Sequence, residues 1–290
     1  MAQPTAPDRA QLETICQRIR THIVSMTHAA QSGHPGGSLS AVEIFAALYF
    51  GGVARHDPQR PDWPQRDRII LSKGHATPVL YAALAEAGYF DHKLLPTFRS
   101  LGSLLQGHVV RGRPAGVEMS GGALGMGLSF SVGLALGNRL SEIDANIFCV
   151  LGDGELNEGQ NWEAAMSAAH FDLDRITAVV DRNHFQNDGP GDEIMRLDPV
   201  ADKWAAFGWG VHHVDGHDVS AVRDALALAR DAEGAPQVVI AETVKGKGVS
   251  FMASNPAAWH GKGPSDEQLE QALTEIAAGL DHSSSNGSVS

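Results

Sequence analysis

Cysteine is nearly absent from this 290-residue chain, which has only Cys16 and Cys149. Nothing in that pair suggests a disulfide framework, and a reducing compartment is the expectation. Cys149 lies in the apolar run "NIFCVLG" and reads as a small core residue. Positive charge is scarce as well: 22 Lys and Arg stand against 34 Asp and Glu, for a net charge of −12. No basic patch of the kind used on nucleic acid or anionic membrane is visible, so neither partner is expected. No apolar run reaches the roughly eighteen residues of a membrane span. The N-terminal "MAQPTAPDRA" lacks the apolar core of a secretory signal. These absences predict a soluble, cytoplasmic protein.

Hydrophobic residues make up 43% of the chain, enough for one large α/β domain or two small ones. Residues 1–8 and the tail 281–290, "DHSSSNGSVS", are small, polar and patternless, and are expected to be disordered. The body, 9–280, alternates. Leu12, Ile15, Ile19, Ile23 and Met26 recur at helical spacing and predict a helix over 9–31. A glycine-rich break follows, then a helix near "SAVEIFAALYF", a strand in "DRIILSKG", and a helix "TPVLYAALAEAG" closed by Gly88. Helix 124–140 is rich in small residues. Beyond it, "NIFCVLGDG", "DRITAVVDRN", "WGVHHVDGHD" and "PQVVIAETVKGKG" read as strands separated by helices. Apolar strands alternating with helices predict a mostly parallel sheet covered on both faces. In such sheets ligands bind beyond the carboxyl ends of the strands. The polar and glycine-rich stretches fall there: "SKGHA", "GDGE", "DRNHFQNDG", "VDGHD" and "TVKGKG".

Asp153 stands between Gly152 and Gly154 at one strand end, and Asn183 stands thirty positions later at the next. The glycines permit a tight turn and close approach of a ligand. The Asp and Asn supply hard oxygens of the kind Mg²⁺ prefers, with phosphate and water completing its shell. The amides opening the following helix can meet phosphate oxygens. A lone "GDG" is an ordinary surface turn. The strand–helix–strand spacing ending in "DRN" makes it a candidate site for a metal-held diphosphate.

"GDGELNEGQNWEA" followed by "VVDRN" resembles the thiamin diphosphate motif of transketolases. "SGHPGGSLSAVEIFAALYF", "DRIILSKGHATPVLYAALAEAG", "LGSLLQGH", "GGALGMGLSFSVGLALG" and "VKGKGVSFM…WHGKG" also have transketolase counterparts, in family order, over roughly 9–280. The resemblance implies a thiamin diphosphate-binding fold, with the diphosphate-binding domain over 9–280. It further implies Mg²⁺ on Asp153, Asn183 and the Phe185 carbonyl, and diphosphate contacts near Gly152 and from Gly154 and Glu155. His75 and His260 would border the diphosphate and the reacting centre. His34 and His108 would face the substrate, Lys245 the mouth of the site, and the backbone of Gly122, Ala123 and Leu124 the cofactor rings.

The candidate catalytic histidines 34, 75, 108 and 260 all lie beside glycine in predicted loops. Ketol transfer takes a proton from one hydroxyl and returns one to an acceptor aldehyde, which imidazoles can do near neutral pH. His22, His28, His56 and His92 lack such settings and read as structural or exposed. Glu158 and Glu163 read either as a solvated helix face or, by resemblance, as acidic groups near a subunit interface.

Family enzymes activate the cofactor with a Glu from a second, pyrimidine-binding domain, and full-length members are about twice this length. The resemblance therefore implies one half of a split transketolase. A second chain would carry the pyrimidine-binding domain, in a heterotetramer or around a dimer of this chain, acting on sugar phosphates. A 1-deoxyxylulose-5-phosphate synthase relative, a 2-oxoacid decarboxylase component and a non-catalytic cofactor-binding partner are the alternatives. "SKGHA" and "WHGKG" favour transketolase. Two departures bear on substrate choice: "QGH" is followed by Val109 and Val110, and the usual "TGSLGQG" appears as "GGALGMG". Arg111 and Arg113 read as a solvated loop or as an anion contact.

Overall fold

The computed structural model describes residues 7–279. The tail expected to be disordered at 281–290 lies outside the described residues, as do positions 1–6 of the expected N-terminal segment. Asp8, in that same segment, is held by a capping box. Its carboxylate accepts from Gln11 N at 2.8 Å, and the Gln11 side chain accepts from Asp8 N at 2.9 Å. The box opens α1 (Arg9–Ala29), which stops short of the predicted end because Gln31 and Gly33 turn the chain at positive φ. The glycine-rich break contains a short helix, α2 (Pro35–Leu39), with proline at its start, where no N–H is needed.

The remaining elements are α3 (Val42–Phe50), β1 (Arg68–Leu71), α4 (Thr77–Glu86), α5 (Met126–Leu140), β2 (Ile147–Gly152), α6 (Gly159–His170), β3 (Ile176–Arg182), α7 (Gly191–Ile194), α8 (Val200–Ala206), β4 (Gly210–Asp215), α9 (Val219–Asp231), β5 (Gln237–Glu242), α10 (Ser250–Ala253) and α11 (Asp266–Ala278). Gly88, at φ 86°, follows α4 as expected. The sequence reading missed α11, although its Ser265–Gln268 capping box is a readable signal. It also missed the 3-10 turns His92–Thr97, Gly154–Asn157 and Pro256–Trp259, which are too short to show a period.

The five strands among the described residues are all parallel, in the order β1-β2-β3-β5-β4. Successive strand residues alternate between two cores. Phe148, Val150, Val179 and Val239 face the layer of α1, α3, α4, α9 and α11. Cys149, Leu151, Val180 and Ile240 face α5, α6 and α8. Period-two alternation puts these neighbours on opposite faces, and both faces are covered. β4 departs from the expectation of apolar strands throughout: its residues are half-buried or exposed, whereas β1, the other edge strand, is buried. No helix among the described residues is long and apolar enough to cross a membrane.

Two glycines of α5 differ in their surroundings. A Cβ on Gly127 would fall 2.4 Å from the Ser72 side chain, whereas one on Gly133 would meet nothing within 4 Å. Gly127→Ala should destabilise the fold by about 1–3 kcal/mol through overpacking. Gly133→Ala should stabilise the isolated chain by about 0.5–1 kcal/mol through helix propensity. Urea denaturation midpoints of the two variants check both signs.

Candidate functional site

Parallel pairing brings the segments after β1, β2, β3 and β5 to one edge of the sheet. A buried ion pair lies beneath that edge. Lys73 Nζ donates to Asp181 Oδ2 and, at 2.7 Å, to the Gly37 carbonyl. The two side chains are 1% and 0% exposed. Asp181 also accepts from Ser40 Oγ at 2.6 Å and Thr243 Oγ1 at 2.5 Å. Burial pushes the Asp181 carboxyl up, but Lys73 and the two hydroxyls outweigh it and leave it below the ordinary value.

Asp181 in turn orients Asn183. An ionised carboxylate only accepts, so Asn183 Nδ2 faces it at 3.3 Å. Asn183 Oδ1 is then directed to the loop after β3, where it accepts from Phe185 N at 3.2 Å. Asp153 is 8% exposed and accepts from Gly154 N at 2.8 Å and His184 N at 2.6 Å. Burial, reinforced by the charge of Asp181, lifts its carboxyl to about 6, against the pull of those two N–H bonds. A buried carboxylate destabilised in this way is one that a bound cation would favour. With the Asn183 oxygen nearby it forms a hard-oxygen set that fits Mg²⁺. A cavity of about 130 Å³ opens against Asp153, Gly154, Phe185 and Gln186. The Glu155 side chain turns inward, accepting from Ser72 Oγ at 2.5 Å, Gly125 N at 2.9 Å and Gly152 N at 3.0 Å. It ties the ends of β1 and β2 to the start of α5, so only its backbone is left for a phosphate.

Three of the four candidate histidines form one cluster. Ring centroids lie 5.2 Å apart for His34–His75, 5.3 Å for His34–His260 and 5.2 Å for His75–His260. Burial, and then neighbouring positive groups, lower all three. His34 and His260 fall to about 4, and His75 also lies well below the ordinary value. The imidazoles are therefore neutral at physiological pH. Lys245 Nζ donates to His260 Nδ1 at 3.0 Å and to the Gln186 carbonyl at 2.9 Å. An ammonium cannot accept, so neutral His260 carries its proton on Nε2. Arg99 Nη2 stands 3.4 Å from His34 Nδ1 and assigns the same tautomer there. Burial first, and Lys73 second, lower Lys245 to about 8.

His108 stays outside this cluster. It is exposed and lies against the backbone of Gly122. Gly122, Ala123 and Leu124 are exposed, and a Cβ on Gly74 would come within 3.3 Å of Gly122 N, so "SKGH" and "GGALG" pack backbone to backbone. The two departures from the family pattern meet here. Gly121 N donates to the Val109 carbonyl at 3.0 Å, and Val109 is buried. Arg111, Arg113, Glu158 and Glu163 are exposed.

The sequence reading missed Lys73, Asp181, Arg99 and His184. Lys73 and Asp181 sit inside the quoted "SKGH" and "DRN", where a charged residue at a buried strand end is the available signal. Arg99 and His184 adopt positive φ, at 60° and 62°, which no sequence pattern marks.

Residues 12–285 match the family described as "Transketolase, thiamine diphosphate binding domain". The chain is 44% identical to a 6-deoxy-6-sulfo-D-fructose transketolase subunit of Clostridium sp. (strain MSTE9), over 84% of this chain and 88% of that one. It is 43% identical to an apulose-4-phosphate transketolase subunit of Actinobacillus succinogenes, over 92% and 96%. It superposes on the transketolase of Leishmania mexicana with a TM-score of 0.86 at 29% identity, covering 93% of this chain but 42% of that one.

Lys73→Met should leave Asp181 buried without its counter-charge and cost about 3–5 kcal/mol of stability. Lys73→Met/Asp181→Leu, which removes both charges, should recover most of the loss. Chemical denaturation of the single and double variants measures the difference.

Proposed function

The chain belongs to the transketolase family through its thiamine diphosphate-binding domain, and on that basis we propose that it is the diphosphate-binding subunit of a two-chain transketolase. It moves a two-carbon ketol unit from a ketose donor to an aldose acceptor. Relatives that match over nearly their whole length are themselves transketolase subunits. The observation that carries the reading is Lys245. Its ammonium bonds His260 of the imidazole cluster and the Gln186 carbonyl of the Asp153–Asn183 corner, joining a proton-transfer site to a metal site.

In this reading Asp153, Asn183 and the Phe185 carbonyl hold Mg²⁺, and Gly152, Gly154 and the Glu155 backbone lie along the diphosphate. The exposed backbone of Gly122, Ala123 and Leu124 takes the cofactor rings. Thiamin diphosphate, when bound, supplies the electron sink for carbon–carbon cleavage. His34, His75 and His260 are neutral at working pH and can accept or donate protons at the sugar's hydroxyls and carbonyl. His108 closes the substrate side from its exposed loop. Lys73, Lys245 and Arg99 make the surroundings positive, which suits a diphosphate and a sugar bearing an anionic group.

A second chain carrying the pyrimidine-binding domain completes the site. Met126, Phe130 and Leu140 of α5 and Met166 of the adjoining α6 are exposed, leaving apolar surface where a partner can pack. The assembly is then a heterotetramer, or a dimer of this chain with its partners, in the cytoplasm.

Purified alone, the chain should show no ketol transfer, and the cognate second chain should restore it. Robust transfer by this chain alone would refute the two-chain reading. In the assembled enzyme, Asp153→Ala should abolish Mg²⁺-dependent binding of thiamin diphosphate. Calorimetry showing unchanged cofactor affinity would sink the metal assignment.

A further inference from the structure

Among the described residues, His22, Glu86 and His92 bring ligand atoms within 4.8 Å of one another. They come from three segments: the middle of α1, the last residue of α4 and the first residue of the 3-10 turn His92–Thr97. His22 Nε2 lies 2.8 Å and His92 Nε2 3.2 Å from the same carboxylate oxygen, Glu86 Oε1. The other oxygen, Oε2, accepts from Arg18 Nε at 2.8 Å. Arg18 is one helical turn before His22, so α1 supplies both a ligand and the group that orients the carboxylate. Burial opposes ionisation of Glu86, but His22 and Arg18 more than offset it and hold its carboxyl at about 2.

From this geometry we infer that His22, Glu86 and His92 form a transition-metal site, with zinc as the natural occupant. Two imidazoles and one carboxylate select zinc-like ions over Mg²⁺ and Ca²⁺, which prefer all-oxygen shells. Zinc–ligand bonds of about 2.0–2.1 Å in tetrahedral geometry place ligand atoms roughly 3.3 Å apart, and the two His–Glu separations already approach that value. Only the His22–His92 separation must shorten. His92 is half exposed and follows the Gly88 turn, so a side-chain rotation brings it in. Each imidazole binds through Nε2 as its neutral Nδ1–H tautomer, the Nε2 proton passing to Nδ1 by way of solvent, and a fourth position is left for water. The ion would tie α1 to the end of α4 and to the segment leading to Arg99. It is a stapling site, separate from the Asp153–Asn183 corner.

The test is a Co²⁺ titration of the full chain, stripped with EDTA and then saturated with Mg²⁺ and thiamin diphosphate to occupy the other metal site. Wild-type protein should develop the visible ligand-field band of a nitrogen–oxygen site, and Zn²⁺ should abolish it by competition. His22→Ala and His92→Gln should each weaken Co²⁺ binding by at least ~100-fold, and Arg18→Leu by about 10–100-fold through the lost second contact. His34→Ala should keep the band. Because His92 is half exposed, His92→Gln should fold normally, and circular dichroism checks this. A band that survives in His22→Ala/His92→Gln, one that disappears in His34→Ala, or no band in wild type overturns the assignment.

Discussion

A lysine and an aspartate with almost no access to water hold the strand ends together. Lys73, just past β1, and Asp181, near the end of β3, flank the intervening β2, and their pairing draws in Gly37 and Ser40 from α2 and its C-cap and Thr243 from just past β5. Such a pair adds little net stability against an apolar replacement, because desolvation of both ions offsets their attraction. Its effect is directional. With Asp181 ionised and saturated with donors, Asn183 has one orientation open to it, and its oxygen is presented to the loop that carries Phe185.

The same dry, positive surroundings decide the protonation states above the pair. Burial lowers His34, His75 and His260, and the nearby cations add to it. Asp153 is moved the other way, by burial and by Asp181. Desolvation thus favours the neutral form of the imidazoles and of Asp153 alike, and a cation at Asp153 would restore the charge of that carboxylate. Lys245 spans both halves and has its own charge weakened by burial and by Lys73.

Glycine serves close approach at a few points here. Gly74 and Gly122 let two loops touch through their backbones, and Gly36 packs against the Trp259 carbonyl while its own carbonyl accepts from Gly246 N at 3.0 Å. The segments "GHPG", "SKGH", "GGALG", "KGKG" and "WHGK" are therefore mutually packed. The burial of Val109 against Gly121 shows how the two departures from the family pattern share one contact. A change in shape there involves both loops together.

The parallel sheet, its helices and most element positions were legible in the sequence, because strand burial on both faces and helical amphipathicity leave periodic traces. Asp153, Asn183 and His75 were legible through their place at strand ends, and His34, His108 and His260 through their glycine neighbours and the family resemblance. Three kinds of feature were not. Short turns such as 154–157 have no period to read. The exposure of β4, which the other edge strand β1 does not share, depends on what packs over each strand, and adjacency in sequence does not specify that. Side-chain convergence depends on the fold as a whole: His34, His75 and His260 span most of the chain yet meet within 5.3 Å, while His108, in an equally glycine-rich loop, stays outside. Residue order was enough to say which chemical groups stand at the carboxyl ends of the strands. Folding alone settles which of them touch, which carry charge and which way each amide and imidazole points, because those depend on distances and desolvation between residues far apart in the chain.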